Sequence, residues 1–189
     1  MQRKTKEKSK RPLKTLERVF SKAGFGSRTD ARKWIGSGRV GVNGKIVRNA
    51  DHWVDLDTSG LLLLTNDTEF AERITNPEHK VPKTYQVKAS TLLSDEQLEQ
   101  LRKGVELSDG MTAPAEVRRL RDGAKYTFLE MTITEGRNRQ VRRMVEAAGS
   151  KVLKLVRTAI GPIRIGELPI GKWRELTAEE VRALKRGDV

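Results

Sequence analysis

Three clusters of side chains in this chain could carry chemistry. The first is Asp55-Leu-Asp-Thr-Ser-Gly60, an acidic turn that runs into Leu61-Leu-Leu-Leu64. A short, continuous apolar run reads as a strand buried on both faces, with a buried helical segment as the competing reading. A carboxylate at the mouth of such an element is rigid and partly desolvated, which suits a nucleophile or a general base. The same Asp, Ser and Gly residues also make an ordinary turn that caps a strand. The second cluster is Lys83-Thr-Tyr-Gln-Val87, whose Tyr85 ring could stack on a base. The third is Glu135-Gly-Arg-Asn-Arg-Gln-Val-Arg-Arg-Met144, with Arg137, Arg139, Arg142 and Arg143 at the entrance to a helix. A helix N-terminus already attracts anions, so arginines there conflict with the helix dipole unless an anion neutralises them. A solvated arginine cluster is the alternative. Together, the three groups suffice for chemistry on a nucleotide. A guanidinium can hold a carboxylate ionised and aimed, and the carboxylate can attack or take a proton.

The elements that must position these groups follow from hydrophobic spacing and punctuation. Leu16, Val19, Phe20 and Ala23 recur at helical spacing, and Gly24 stops that helix. Ser27-Arg-Thr-Asp30 resembles a capping box with Asp in place of Glu or Gln. It opens a second helix with Ala31, Trp34 and Ile35 inward, ended by Gly36-Ser-Gly38. Alternating valines around Asn43-Gly44 predict a tight hairpin. Arg28, Arg32, Lys33, Arg39 and Lys45 spread positive charge over these three elements, which points to polyanion binding rather than a solvated helix face. Further on, Asp67 to Ile74 reads as a short helix ended by Asn76-Pro77. A strand with Tyr85 and Val87 on one face follows. A Ser94-Asp-Glu-Gln97 capping box opens a helix ended by Gly104. Residues 115–133 read as a hairpin around Arg121-Asp-Gly123. Val141, Met144, Val145 and Ala148 form the buried face of the arginine-led helix, which Gly149 closes. Two short strands, 152–157 and 163–165, precede a last helix behind Thr177-Ala-Glu-Glu180.

Composition narrows the function. The 189 residues fit one medium domain or two small ones, and the net charge of +13 favours a nucleic-acid partner over an anionic membrane surface. Residues 1–12 form a basic tail almost without apolar side chains. No apolar run approaches the roughly 18 residues of a membrane span, so a cytoplasmic protein is expected. With no cysteine and only His52 and His79, a zinc or non-haem iron site is not expected.

The segment 16–47, with its AGFGSRTDARKWI helix pair and GRVGVNGKIV hairpin, resembles an S4 RNA-binding domain. The whole chain resembles the Rsu-type (small-subunit branch) ribosomal RNA pseudouridine synthases. DLDTSGLLLLTND is similar to their catalytic motif, KTYQV to their tyrosine strand, EGRNRQVRRM to their arginine motif and RTAIGPIRIGEL to their late strand motif. The resemblance implies an α+β protein. A small S4 domain (15–54) would follow a basic tail (1–14) and precede a mixed, mainly antiparallel-sheet catalytic domain (55–189). It implies that Asp55 is the catalytic aspartate, acting as nucleophile or base, that Tyr85 stacks on the target base and that Arg142 pairs with Asp55. Arg28, Arg32, Lys33, Arg39, Lys45, Arg137 and Arg139 would contact RNA, and Leu168 would line the uracil pocket. The implied partner is ribosomal RNA or a pre-ribosomal particle, met by a monomer that needs no cofactor.

The chain departs from the family in one place. Several dozen residues, including an Asn-Lys-Pro segment, normally separate the S4 hairpin from the catalytic motif. Here Val47 reaches Asp55 in eight steps, and Trp53-Val54 stand where the family has Arg-Leu. This reads as an internal deletion that truncates the start of the catalytic domain. The alternative function is therefore a non-catalytic or crippled S4-type RNA-binding protein. Loss of strands would also expose sheet edges.

Overall fold

The computed structural model describes residues 14–22, 26–38, 40–42, 45–51, 53–54, 58–65, 67–170 and 172–187, with residues 14, 22, 41, 42, 45, 46, 53 and 54 by backbone alone. All but one residue of the expected basic tail lies outside the described residues. The exception, Lys14, starts β1 (Lys14–Thr15), which leads into α1 (Leu16–Lys22) and α2 (Arg28–Gly36). The Ser27 hydroxyl accepts the Asp30 N–H at 3.2 Å, and the Asp30 carboxylate accepts the Ser27 N–H at 3.0 Å. The capping box thus closes with Asp in the reciprocal position. Strands β2 (Gly41–Val42) and β3 (Lys45–Ile46) pair with Val42 opposite Lys45, the register of a two-residue turn. Asn43 and Gly44 themselves lie outside the described residues. Strand β4 (Trp53–Val54) returns to pair with β1. Leu16, Phe20, Ala31, Ile35, Val40, Val47 and Ala50 form the core of this unit, with Trp34 and Leu64 packed against it.

The larger unit is a mixed, mainly antiparallel sheet. Strands β6 (Lys83–Ala89), β9 (Glu116–Asp122), β10 (Thr127–Ile133), β11 (Val152–Ile160) and β12 (Ile163–Arg164) run in the order β12-β11-β6-β10-β9. Strand β5 (Ser59–Gly60) pairs with β11 in parallel. On one face, α4 (Asp95–Lys103) and α5 (Gln140–Ala147) cover the odd-numbered residues of β6 and β10. Val87, Ala89, Leu98, Leu101, Leu129, Met131, Met144 and Val145 belong to that core. A second cluster joins α3 (Thr68–Thr75) and α6 (Ala178–Arg186) through Phe70, Ile74 and Leu184 to Val81, Ile160 and Ile163. The short hairpin β7 (Glu106–Leu107) and β8 (Gly110–Met111) was not expected from sequence. Two-residue strands carry too little alternation to stand out.

The leucine run corrects an expectation. It is neither a buried strand nor a helix: residues 61–65 have no regular structure, and Leu62 is 51% exposed. The pairing partner explains this. The Leu61 N–H donates to the Arg157 carbonyl at 2.7 Å, but β12 takes the edge of β11 from Ala159 onward. The leucines must leave the sheet at that point. Leu61 and Leu63 then pack on the α3–α6 core, and Leu64 packs on the N-terminal core. Apolar character therefore fastens a linker between cores instead of building a strand.

Candidate active site

The expected catalytic residue Asp55 lies outside the described residues, as does Arg39; the Lys45 side chain is also undescribed. What the structure places is the chain immediately downstream. Ser59 and Gly60 lie opposite Val156 and Arg157. The Ser59 hydroxyl donates to the Leu155 carbonyl at 3.2 Å, and Arg157 Nε donates to the Leu61 carbonyl at 2.8 Å. Gly60 has φ +100°, and a Cβ there would run into the Arg157 backbone. Only glycine fits this close junction. The turn that ends in Gly60 is thereby pinned to the middle of β11.

Arg157 lies directly opposite Tyr85 on β6, and Tyr85 lies opposite Met131 on β10. Directly paired residues share a face, so Tyr85 and Arg157 stand side by side, about 5 Å apart at the backbone. Tyr85 is half-buried and packs on the α4–α5 core. Lys83, two residues earlier, shares that face by strand alternation. It is buried to 7% exposure, and its Nζ meets no hydrogen-bond acceptor among the described residues. Burial, and after it the nearby Arg157 charge, push the ammonium down to about 8. Sequence reasoning did not single out Lys83 or Arg157. Their signal was present: two cations at strand positions that share a face with an aromatic ring.

The arginine-led helix resolves its conflict partly from within the chain. Arg137 donates to Glu135 at 2.8 Å and to the carbonyls of Gly110 and Met111 at 3.0 and 2.7 Å. Arg143 donates to both carboxylate oxygens of Asp109 at 2.9 Å, and this pairing lowers the Asp109 carboxyl below its usual range. The missed β7–β8 hairpin thus supplies part of the counter-charge. Arg139 adopts a left-handed conformation, φ +50°, at the helix start. A non-glycine residue in that region is uncommon and costs free energy, a pattern found at functional sites. Arg142 Nη1 donates to the Val152 carbonyl at 3.0 Å, which ties the helix to the start of β11. Tyr85 and Val141 of α5 share one core, so the structure brings the tyrosine strand and the arginine helix together. Leu168 is half-buried in the segment after β12, its N–H donating to Ile165 at 3.2 Å.

On the N-terminal unit, Arg28 and Lys33 are exposed on α2. Arg32 is more constrained. It pairs with the buried Glu17 at 2.5 Å and with Asp51 at 2.9 Å, and both carboxylates raise its pKa. A hollow of about 700 Å³ lies elsewhere, lined by α4 with Asp95, Glu96 and Glu99. Its carboxylates make it a poor seat for a polyanion. Among the described residues, no group of three His, Cys, Asp or Glu residues could hold a metal ion, and no helix is long and apolar enough to cross a membrane.

Comparison with known proteins places this arrangement in a family. The RNA pseudouridylate synthase model matches residues 43–147, and the S4 domain model matches residues 16–57. The ribosomal large subunit pseudouridine synthase B of Bacillus subtilis (strain 168) is 46% identical over 134 residues, which is 70% of this chain and 55% of that protein. The ribosomal large subunit pseudouridine synthase E of Vibrio vulnificus (strain CMCP6) is 36% identical, with 94% of this chain and 83% of that protein covered. That alignment spans 203 residues, more than the 189 of this chain, so it bridges positions this chain lacks. The match spans little more than half the length of an RNA pseudouridine synthase from Aquifex aeolicus (strain VF5). A solved pseudouridylate synthase superposes with a TM-score of 0.64 at 26% identity, covering 90% of this chain and 99% of that one. On the family model and these relatives, the chain belongs to the RNA pseudouridylate synthase family and carries an S4 domain.

Proposed function

We propose that this chain converts a uridine of ribosomal RNA to pseudouridine, with Asp55 as the catalytic carboxylate. The observation that carries this reading is the placement of Gly60, Arg157 and Tyr85 on three neighbouring strands. Asp55 precedes Gly60 by five residues. At no more than about 3.6 Å per residue, its carboxylate can reach the face on which Tyr85 stands. Several relatives are named for the large ribosomal subunit, so large-subunit RNA, free or in a pre-ribosomal particle, is the proposed substrate. Residues 15–54 would hold the RNA, and residues 55–189 would act on it.

The reaction is an isomerisation and balances without a cofactor. The bond from uracil N1 to ribose C1′ breaks, the ring turns, C5 bonds to C1′, the C5 proton leaves and N1 takes one up. Asp55 attacks the ribose or the ring, or removes a ribose proton. Tyr85 stacks on the base and holds it during the turn. Arg142 holds Asp55 ionised, Arg137 and Arg139 contact the RNA backbone, and Leu168 lines the uracil pocket. The test is nucleoside analysis. Large-subunit RNA treated with the wild type and then digested should yield new pseudouridine, and treatment with Asp55→Asn should yield none. Equal yields from both proteins would remove Asp55 from the mechanism.

A second reading is favoured by the short link between the S4 segment and Gly60, in a chain whose alignment with the Vibrio vulnificus relative bridges positions it lacks. Under it the chain binds RNA without isomerising it. It predicts RNA binding with no pseudouridine from either protein.

A further inference from the structure

Lys83 is a cation in a place where proteins seldom leave one. Its residue is 7% exposed and its Nζ is fully buried without an acceptor. A lysine of purely structural use either extends its ammonium to water along its flexible stem or pairs with a carboxylate. Among the described residues Lys83 does neither, and its charged neighbour there is a second cation, Arg157. Both share the sheet face of Tyr85. The carboxylates that neutralise other cations of this chain serve elsewhere: Glu17 and Asp51 hold Arg32, Glu135 holds Arg137, and Asp109 holds Arg143. Such a site is preorganised for negative charge that arrives with a ligand.

We propose that Lys83, seconded by Arg157, is a catalytic cation that receives the negative charge of the detached uracil ring. This rests on the reading of Tyr85 as the seat of the target base. When N1 parts from C1′, the bonding pair stays on the ring and spreads over its two carbonyl oxygens. Lys83 keeps its proton and stabilises that anion while the ring turns. The charge leaves the ring when C5 bonds to C1′; C5 then gives up its proton and N1 takes one up, which leaves the product ring neutral. A backbone phosphate is a poorer match, because a hydrated diester oxygen does not reach a fully buried Nζ without shedding its water. A charge generated inside a dry pocket meets no such barrier, and a fixed cation acts most strongly there.

The test compares two pyrimidines: 5-nitrouracil, which is largely anionic at neutral pH, and uracil, which is neutral. Binding to the full chain is followed by ligand-observed NMR. The wild type should bind the anion more tightly than uracil, by about tenfold or more. Lys83→Met should abolish that preference and Lys83→Arg should retain part of it, while all three proteins melt cooperatively. With RNA as substrate, Lys83→Met should lower kcat by about 10²–10³-fold and leave RNA affinity unchanged. Equal binding of both pyrimidines by the wild type, or an anion preference that survives in Lys83→Met, would overturn the proposal. Loss of RNA affinity with kcat intact would overturn it too, in favour of a phosphate seat. If the wild type bound neither pyrimidine, the base pocket on Tyr85 would fail first, and this inference with it.

Discussion

At the scale of single residues, a buried ammonium with no acceptor opposes folding. The sign of that opposition depends on pH. Lys83 titrates near 8 in the folded chain, below its ordinary value of 10.5. Between those values the unfolded chain binds more protons, so stability from this group rises with pH across that window. The penalty is complete below about pH 8. Lys83→Met should therefore be more stable than the wild type at pH 7 by an amount on the order of 3 kcal/mol. The gain should shrink as pH rises from 8 toward 10.5. Urea denaturation of both proteins at pH 7 and at pH 10.5 measures it. A constant difference across that range would mean that packing, not charge, separates the two proteins. Gain of stability with loss of turnover is the expected signature of a site strained for function. Arg32, a proposed RNA contact, does find a carboxylate within the chain: it neutralises the buried Glu17. Charge at a residue is legible in sequence, but its partner is not.

At the scale of elements, local signals were read well and long-range ones were not. The capping boxes at Ser27, Ser94 and Thr177 all form. The expected inward faces also hold, with Leu98, Leu101, Val141, Met144 and Val145 at 3% exposure or less. These features depend on residues three or four apart, so the sequence carries them directly. The leucine run failed because its fate was set by β12, a hundred residues away, which occupies the edge it would have used. The arginine cluster was half-read for a related reason. The conflict with the helix dipole was visible, but Asp109, on the turn between two very short strands, was not recognised as part of the answer. Two substitutions test the packing. Ser94→Ala should cost about 1 kcal/mol, because it removes the cap of α4. Met144→Ala should cost roughly 2–5 kcal/mol, because Met144 is fully buried in the larger core. Thermal melts of both variants should show the second effect clearly larger than the first.

At the scale of the whole molecule, the net charge of +13 and the S4 unit are the features on which the proposed attraction to RNA rests. Arg28 and Lys33 are the better probes of that surface, since changing Arg32 would strand Glu17. Arg28→Glu with Lys33→Glu should weaken RNA binding and flatten its dependence on salt. Loss of two phosphate contacts should reduce the slope of log affinity against log salt by roughly 1.5 to 2. Filter binding at several salt concentrations reads both effects, and an unchanged slope would move the RNA surface elsewhere. The two outer margins of the sheet differ in character. Strand β9 protects its edge with Arg118, Arg119 and Arg121, as natural edges often do. The start of β11 is plainer: Leu153 is 53% exposed, and the partners β5 and β12 engage only later residues. The relatives are longer than this chain, which is why family membership and catalytic competence are separate matters here.

The central claim is that Asp55 drives isomerisation of a ribosomal uridine despite the shortened link before it. Tritium release from large-subunit RNA labelled at uridine C5 tests it most directly, because only a reaction that frees C5 liberates the label. Release by the wild type and none by Asp55→Asn is the expected result. Release that survives in Asp55→Asn, or none from the folded, RNA-binding wild type, would contradict it.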